Sequence, residues 1–357
     1  MARTGLVRTG TAGRRVAAGI AVAGVVGLGL LAIPAGAGAA PELPQVSAED
    51  LVSSVLTAHP GPLNGTVELD NNLGLPALPG LPQAADGTST ARIWSDGVGK
   101  ARAQVPTGSG ERTLVSDGTT FWSWNSADKT VTKTAEGDEK APSPENATSD
   151  PAAAATDAIA KLRATSVVSV DGTAEVAGRP AYDLVLTPAP TERTLLREVR
   201  IAVDSQTRIP LQLTVLANGS SDPALRLGFR DVRFGVQDPS LFTFTPPPGS
   251  TVTPPPADRA GKPARPEGLP AGATTPTVVG DGWDTVLVAS MPKQAAPAEG
   301  RPGGSSDIYS LGTPVTGTWG SGRLITTAVA AAIITDDGRI AIGAVPEQVL
   351  TAALAKK

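Results

Sequence analysis

Short segments of alternating apolar residues, each ended by a tight-turn signal, fill most of this chain and leave few folds open to it. Between Gly65 and Ala135 they read GTVELDN, TSTARIW, GKARAQVP, ERTLVSD, TTFWSWN and TVTKTA. Asp-Gly, Gly-Ser and Asn-Ser pairs stand between them, and such pairs favour the tight turns of hairpins. Residues two apart on a strand share a face, so Trp122 and Trp124 lie together, with Ser123 and Asn125 on the other side.

A second set follows: SVVSVDGTAEVAGRP, AYDLVLTP, LLREVRIAVD, RIPLQLTVLA and ALRLGFRDVRFG. No helix-length segment separates these runs, which implies an antiparallel meander. Leu184 and Leu186, then Val199, Ile201 and Val203, then Leu211, Leu213 and Val215 fall on alternate positions. The expectation is a sheet of about eleven strands with one apolar face. DPSLFTFTPPPG closes the block with Phe242 and Phe244 before a proline stop.

Such a face needs a cover, and only short helices are available. SAEDLVSSVLTA (47–58) opens with a Ser cap and first-turn acids, then presents Leu51, Val52, Val55 and Leu56 as one stripe. DPAAAATDAIAKLRA is an alanine-rich run with Pro151 at its start.

The ends of the chain read differently. Arg3, Arg8, Arg14 and Arg15 precede an uncharged stretch from Val16 to Ala40 that ends in small residues. Residues 1–40 therefore read as a secretory signal or as a membrane anchor, and either places the rest outside the cytoplasm. Residues 41–250 form the main domain, and 251–275 is a proline-rich linker. The last stretch, 276–357, is a small α+β unit. In it GWDTVLVASMP is a strand, RLITTAVAAAIITDDGRIAIGAV is two strands, and PEQVLTAALA is a helix.

Composition removes several function classes. There is no cysteine, so thiol nucleophiles, disulfides and Cys-based metal sites are excluded. The one histidine, His59, ends a helical pattern before Pro60 and supports no triad or multi-His site. A net charge of −4 argues against a nucleic-acid partner. GTWGSG (317–322) lacks the Lys-Ser/Thr ending of a phosphate loop and reads as a turn. Glu136, Asp138 and Glu139 read as a solvated loop cluster. No catalytic constellation emerges, and neither a cofactor nor an enzyme is expected.

One loop stands out. LGLPALPGLP (73–82) carries four leucines, three prolines and no charge. Proline bars a regular helix or central strand, and an uncharged apolar loop is best explained by an apolar partner.

Four stretches carry a family resemblance. LVSDGTTFWSWNSADKTVTK resembles the Asp-Gly, Trp-bearing hairpin of LolA-like periplasmic lipoprotein carriers. VAGRPAYDLVLTP resembles a stretch of the RseB-like sensor branch of that superfamily. REVRIAVDSQTRIPLQLTV and DVRFGVQDPSLFTFTPPPG resemble its later hairpin and closing segment. The resemblance spans about residues 47–250 in order, and LGTPVTGTWGSGRLITT looks like the extra unit of an actinobacterial form.

The resemblance implies a mainly β fold with short helices: a curved, half-open antiparallel β-barrel under a helical lid. It implies that acyl chains of lipids or lipoproteins bind between sheet and helices. The cavity lining would come from Val67, Leu69, Trp94, Trp122, Trp124, Leu184, Leu186, Ile201, Val203, Leu213 and Val215. Leu73, Leu75, Leu78 and Leu81 would form the rim. Arg102, with Arg92 as the alternative, matches the arginine that ties the lid in this family. The partners are then acyl chains and a membrane surface or membrane protein, met by a monomer. An RseB-like envelope sensor and a structural envelope protein with a filled core remain the alternatives.

Overall fold

Each Asp-Gly signal makes the turn its chemistry dictates. Asp96 accepts hydrogen bonds from the backbone N–H groups of Val98 (2.9 Å) and Lys100 (2.8 Å), and Gly97 takes a φ of +78°. Asp117 does the same with Thr119 (2.9 Å) and Thr120 (2.8 Å), and Gly118 takes +87°. The Thr119 hydroxyl also donates to Asp117 at 2.7 Å and is the main cause there; together these bonds favour the charged carboxylates and hold both below their ordinary pKa. The computed structural model describes residues 42–74, 86–135, 162–253, 276–290 and 312–356.

The hairpins build a first meander of six strands. These are β1 (Leu63–Asn71), β2 (Gly87–Ser95), β3 (Ala101–Thr107), β4 (Gly110–Ser116), β5 (Thr120–Asn125) and β6 (Thr130–Ala135). The second meander is β7 (Ser166–Val176), β8 (Arg179–Pro188), β9 (Leu196–Asp204), β10 (Pro210–Ala217) and β11 (Pro223–Phe234). β11 pairs antiparallel with β1, which fuses the two meanders into one sheet. β12 (Thr251–Thr253) then pairs in parallel with β6. The order is β12-β6-β5-β4-β3-β2-β1-β11-β10-β9-β8-β7, an open, curved twelve-stranded sheet. The eleven strands read from the sequence are present; the twelfth is the short β12. The sheet does not close into a barrel.

Helix α1 (Ala48–Thr57) is the amphipathic segment beginning at Ser47. The Ser47 hydroxyl accepts the Asp50 N–H at 3.0 Å, a cap of about 1 kcal/mol. Leu51 and Val52 are buried against Val168, Tyr182, Leu184 and Val203. Each such side chain contributes roughly 1.5–3 kcal/mol of burial. Tyr182 Oη donates to the Pro44 carbonyl at 3.0 Å, and Arg163 pairs with Glu49 of the helix. Residues 1–41, most of the alanine-rich 151–164 run and the 254–275 stretch lie outside the described residues.

A second sheet has the order β13-β14-β18-β17-β16-β15. Its strands are β13 (Thr277–Val279), β14 (Val286–Ser290), β15 (Thr313–Gly317), β16 (Gly320–Thr326), β17 (Ala331–Thr335) and β18 (Arg339–Gly343). The stretch read as two strands supplies three, because Thr327–Ala330 turns the chain inside an uncharged run. Helix α2 (Glu347–Ala355) lays Val349, Leu350, Ala353 and Leu354 over Val286, Ile333 and Ala341.

Candidate functional site

Register decides which residues share a face, since directly opposed residues in an antiparallel pair point the same way. Across β1 and β11, Val67 faces Phe229 and Leu69 faces Leu227. Leu227 faces Leu213, Leu213 faces Ile201, and Ile201 faces Leu184. In the neighbouring row Leu225 faces Val215, Val215 faces Val199, and Val199 faces Leu186. Val203, opposite Tyr182, completes the set. Eight of the expected lining residues therefore lie on one continuous apolar face: Val67, Leu69, Leu184, Leu186, Ile201, Val203, Leu213 and Val215.

The three tryptophans do not join them. Trp94 is opposite Asn64, one position out of phase with Val67 and Leu69. Trp94 faces Arg102, Arg102 faces Val115, and Val115 faces Trp122. Trp124 faces Thr113 in the adjacent row. Trp94, Trp122, Trp124 and Arg102 thus share the reverse face, which corrects the expectation of a single lining. Alternation fixes faces within one strand, but register between strands depends on turn lengths.

A separate cover explains the reverse face. After β11 the chain makes a short 3₁₀ turn (Pro239–Phe242) that buries Phe242. Phe244 packs on Trp122 with ring centroids 5.6 Å apart, and Lys133 Nζ lies 4.9 Å from the Trp122 ring. Arg102 Nη1 donates to the Leu241 carbonyl at 3.3 Å. Arg102 therefore fastens this closing strap rather than helix α1. Arg92 is exposed and stacks on Trp94 at 5.0 Å.

The apolar face is covered unevenly. At the β7–β9 end α1 fills it: Leu184 is 4% exposed and Val203 fully buried, with Leu186 and Ile201 packed beside them. Toward β1 and β11, Val67, Leu69, Leu213, Val215 and Leu225 are half-buried, and Leu227 is 41% exposed. Leu225, Leu227 and Phe229 were not expected in the lining, although LRLGF shows the alternation that would have found them.

The rim loop starts from this face. Leu73 is half-buried, and Leu75, Leu78 and Leu81 lie outside the described residues. The loop base is pinned by Gly74 N–H to Asp86 Oδ1 (2.8 Å) and by Ala328 N–H to the Leu73 carbonyl (3.0 Å). The second bond ties the base to the β16–β17 turn of the second sheet.

One charge cluster lies away from the apolar face, whereas the Arg208 guanidinium stands over the Tyr182 ring at 5.0 Å. Arg200 is opposite Val185, out of phase with Leu184, and gathers Asp183 (2.5 Å), Asp171 (2.7 Å) and Glu198 (2.9 Å). The Glu198 hydrogen bond, aided by the other two, raises the Arg200 pKa. Burial pushes the Asp183 carboxyl up, against the pull of Arg200. Among the described residues, no group of three His, Asp or Glu side chains is placed to hold a metal ion. None of their helices is long and apolar enough to cross a membrane.

No family model matches the chain, and no curated protein matches it. Among solved structures it is similar to the Pseudomonas aeruginosa MucA/MucB complex, at 18% identity and a TM-score of 0.42, covering 86% of this chain and 96% of that one. It is similar to MucB in complex with MucA(peri) at 17% identity and a TM-score of 0.43, covering 86% and 97%. A LolA superfamily protein from Nitrosomonas europaea is similar at 10% identity and a TM-score of 0.25, covering 56% and 99%. At these identities, and with every TM-score below 0.5, the similarity assigns this chain no role.

Proposed function

We propose that this protein binds acyl chains of lipids or lipoproteins outside the cytoplasm, as a binding protein and not an enzyme. The chain lies on the apolar face between the sheet and α1. The observation that carries this reading is the ladder Val67, Leu69, Leu227, Leu213 and Val215, which continues beyond the helix and stays half-open. A partly exposed apolar surface of this extent fits an apolar ligand, and each buried CH₂ contributes about 0.8 kcal/mol. Helix α1 is short and docks through few side chains, so it can move aside as a lid. Leu73, Leu75, Leu78 and Leu81 serve as an apolar lip that guides the chain inward, with the prolines limiting its freedom.

The test is uptake of a fluorescent acyl probe. Leu227→Asp places a charge on the open part of the face with little cost to folding, since Leu227 is already 41% exposed. Uptake falls by about tenfold or more, because a buried unpaired charge opposes binding. Replacing two of Leu75, Leu78 and Leu81 by Asp weakens uptake while the fold persists. Unchanged uptake in the Leu227 variant overturns the assignment of the face.

A second reading, an envelope sensor that contacts a membrane partner, is favoured by one feature. The two sheets are directly bonded: Leu195 N–H and Thr194 Oγ1 both donate to the Ala344 carbonyl, at 2.9 and 2.6 Å. Occupancy of the first sheet then has a route to the second. Capture of one specific membrane protein by the full chain, dependent on added lipid, supports sensing over transport.

A further inference from the structure

We infer that the junction of the two sheets is a second apolar site, which takes the end of a single hydrocarbon chain. This rests on the acyl-chain reading for the source of the ligand. An open pocket of about 330 Å³ lies there, lined by Leu162, Leu196, Trp283 and Ala344, with Thr165, Ser166 and Thr285 as its polar side chains. That volume lies at the small end of the roughly 300–1,000 Å³ typical of ligand sites.

The walls are held in place by polar bonds. Trp283 Nε1 donates to Ser166 Oγ at 2.7 Å, which fixes the indole as one side. Glu192 Oε2 accepts the backbone N–H groups of Trp283 (2.8 Å) and Asp284 (3.2 Å), anchoring the turn that carries the indole. Gly282 begins that turn at φ +64°, and a Cβ there would stand 2.6 Å from Thr165 Cβ. Only glycine lets the turn approach β7 so closely.

The same bonds select the ligand. The Ser166 hydroxyl already accepts the indole N–H, and the Ala344 carbonyl already accepts two donors. Thr285 Oγ1 donates to the Gly282 carbonyl at 2.9 Å. The Ala344 carbonyl is saturated and each of the hydroxyls keeps at most a donor or a lone pair, so the pocket recognises mainly by apolar contact. A peptide brings a donor and an acceptor at nearly every residue, and both need partners once buried. A hydrocarbon chain needs none. Leu162 also packs on the cluster beneath α1, so the cavity continues the apolar region that the first site uses.

The experiment uses the full chain and a bromine-substituted stearic acid, a contact quencher of indole. Wild type and Trp283→Phe are compared, and the difference between them isolates Trp283 from the other four tryptophans. Saturating probe quenches the Trp283 component. Ala344→Leu narrows the pocket and raises the probe concentration that half-quenches Trp283 about tenfold, a factor equal to about 1.4 kcal/mol, while total probe uptake persists. If Ala344→Leu fails to fold, crystals of wild type soaked with the probe show anomalous bromine density beside Trp283. Probe uptake with no Trp283 quenching and no bromine at the junction overturns this inference and leaves the first site standing. No probe uptake anywhere overturns the acyl-chain reading and this site together. Displacement of the probe from Trp283 by a leucine-rich peptide, but not by unlabelled stearic acid, assigns the junction to a peptide and overturns the inference.

Discussion

Arg179 grips Asp204 with two parallel bonds, Nε to Oδ1 at 2.6 Å and Nη2 to Oδ2 at 2.9 Å, joining the start of β8 to the end of β9. The Asp204 side chain is fully buried and also accepts the Thr207 N–H and hydroxyl, both at 2.7 Å. Burial alone would raise its pKa. Arg179 and Thr207 outweigh burial, and the carboxyl titrates below its ordinary value. A depressed carboxylate stabilises the fold fully above the unfolded pKa of about 3.9 and loses that contribution as pH falls through the folded value. Asp204→Asn therefore costs about 3 kcal/mol near neutrality, where it leaves Arg179 without its partner. The gap to wild type narrows below about pH 4. Urea unfolding at pH 7 and pH 3 checks this; an equal gap at both removes the pair from the acid response.

The β2–β3 turn tolerates no side chain at Gly97. Its φ is +78°, and a Cβ would stand 2.8 Å from the Gly61 carbonyl carbon and 2.9 Å from the Pro60 oxygen. Gly97→Ala lowers stability by roughly 2 kcal/mol or more, adding a backbone clash to left-handed strain. Gly108→Ala, where a Cβ meets nothing within 4 Å and φ is not positive, is the control and stays within about 0.5 kcal/mol of wild type in thermal unfolding.

Helix α1 docks mainly through Leu51, which is fully buried. Leu51→Ala costs about 3 kcal/mol while the helix stays seated. A detached ten-residue helix is marginal in water, so the loss appears as local undocking. Hydrogen exchange shows amides 48–57 deprotected with the sheet unchanged, and acyl probe enters faster. Slower uptake would show that the helix forms the site instead of covering it.

The strap over the reverse face is separable from the ligand face. Trp122→Ala removes the stacking partner of Phe244, and Arg102→Ala frees the Leu241 carbonyl. Proteolysis between residues 238 and 250 accelerates in both variants, while acyl uptake is kept. Loss of uptake in either would place the tryptophan face in the binding site.

The hairpins were legible because their turns are local: Asp96, Gly97, Asp117 and Gly118 set their own geometry whatever surrounds them. The apolar face was legible where alternation in LREVRIAVD and PLQLTVLA is strong. The β1–β11 pairing was not, because it joins residues some 160 positions apart and rests on register. That register separates Trp94 from Val67, and no alternation within a strand reports it. The strap is not legible in the sequence for a related reason. Phe242 and Phe244 read as an ending, and only the fold shows that they cross to Trp122. The β16–β17 turn is hidden in a run without charge, glycine or proline, where the tertiary sheet decides the bend. The junction cavity depends on Trp283 meeting Ser166, two residues that the sequence offers no reason to connect.

Native mass spectrometry of the protein purified from its own host, under conditions that preserve noncovalent complexes, tests the central claim most directly. The account predicts a bound species whose added mass is that of an acyl-bearing lipid or lipoprotein, reduced in Leu227→Asp. Recovery of the bare chain alone, together with no uptake of added acyl probe, would contradict it.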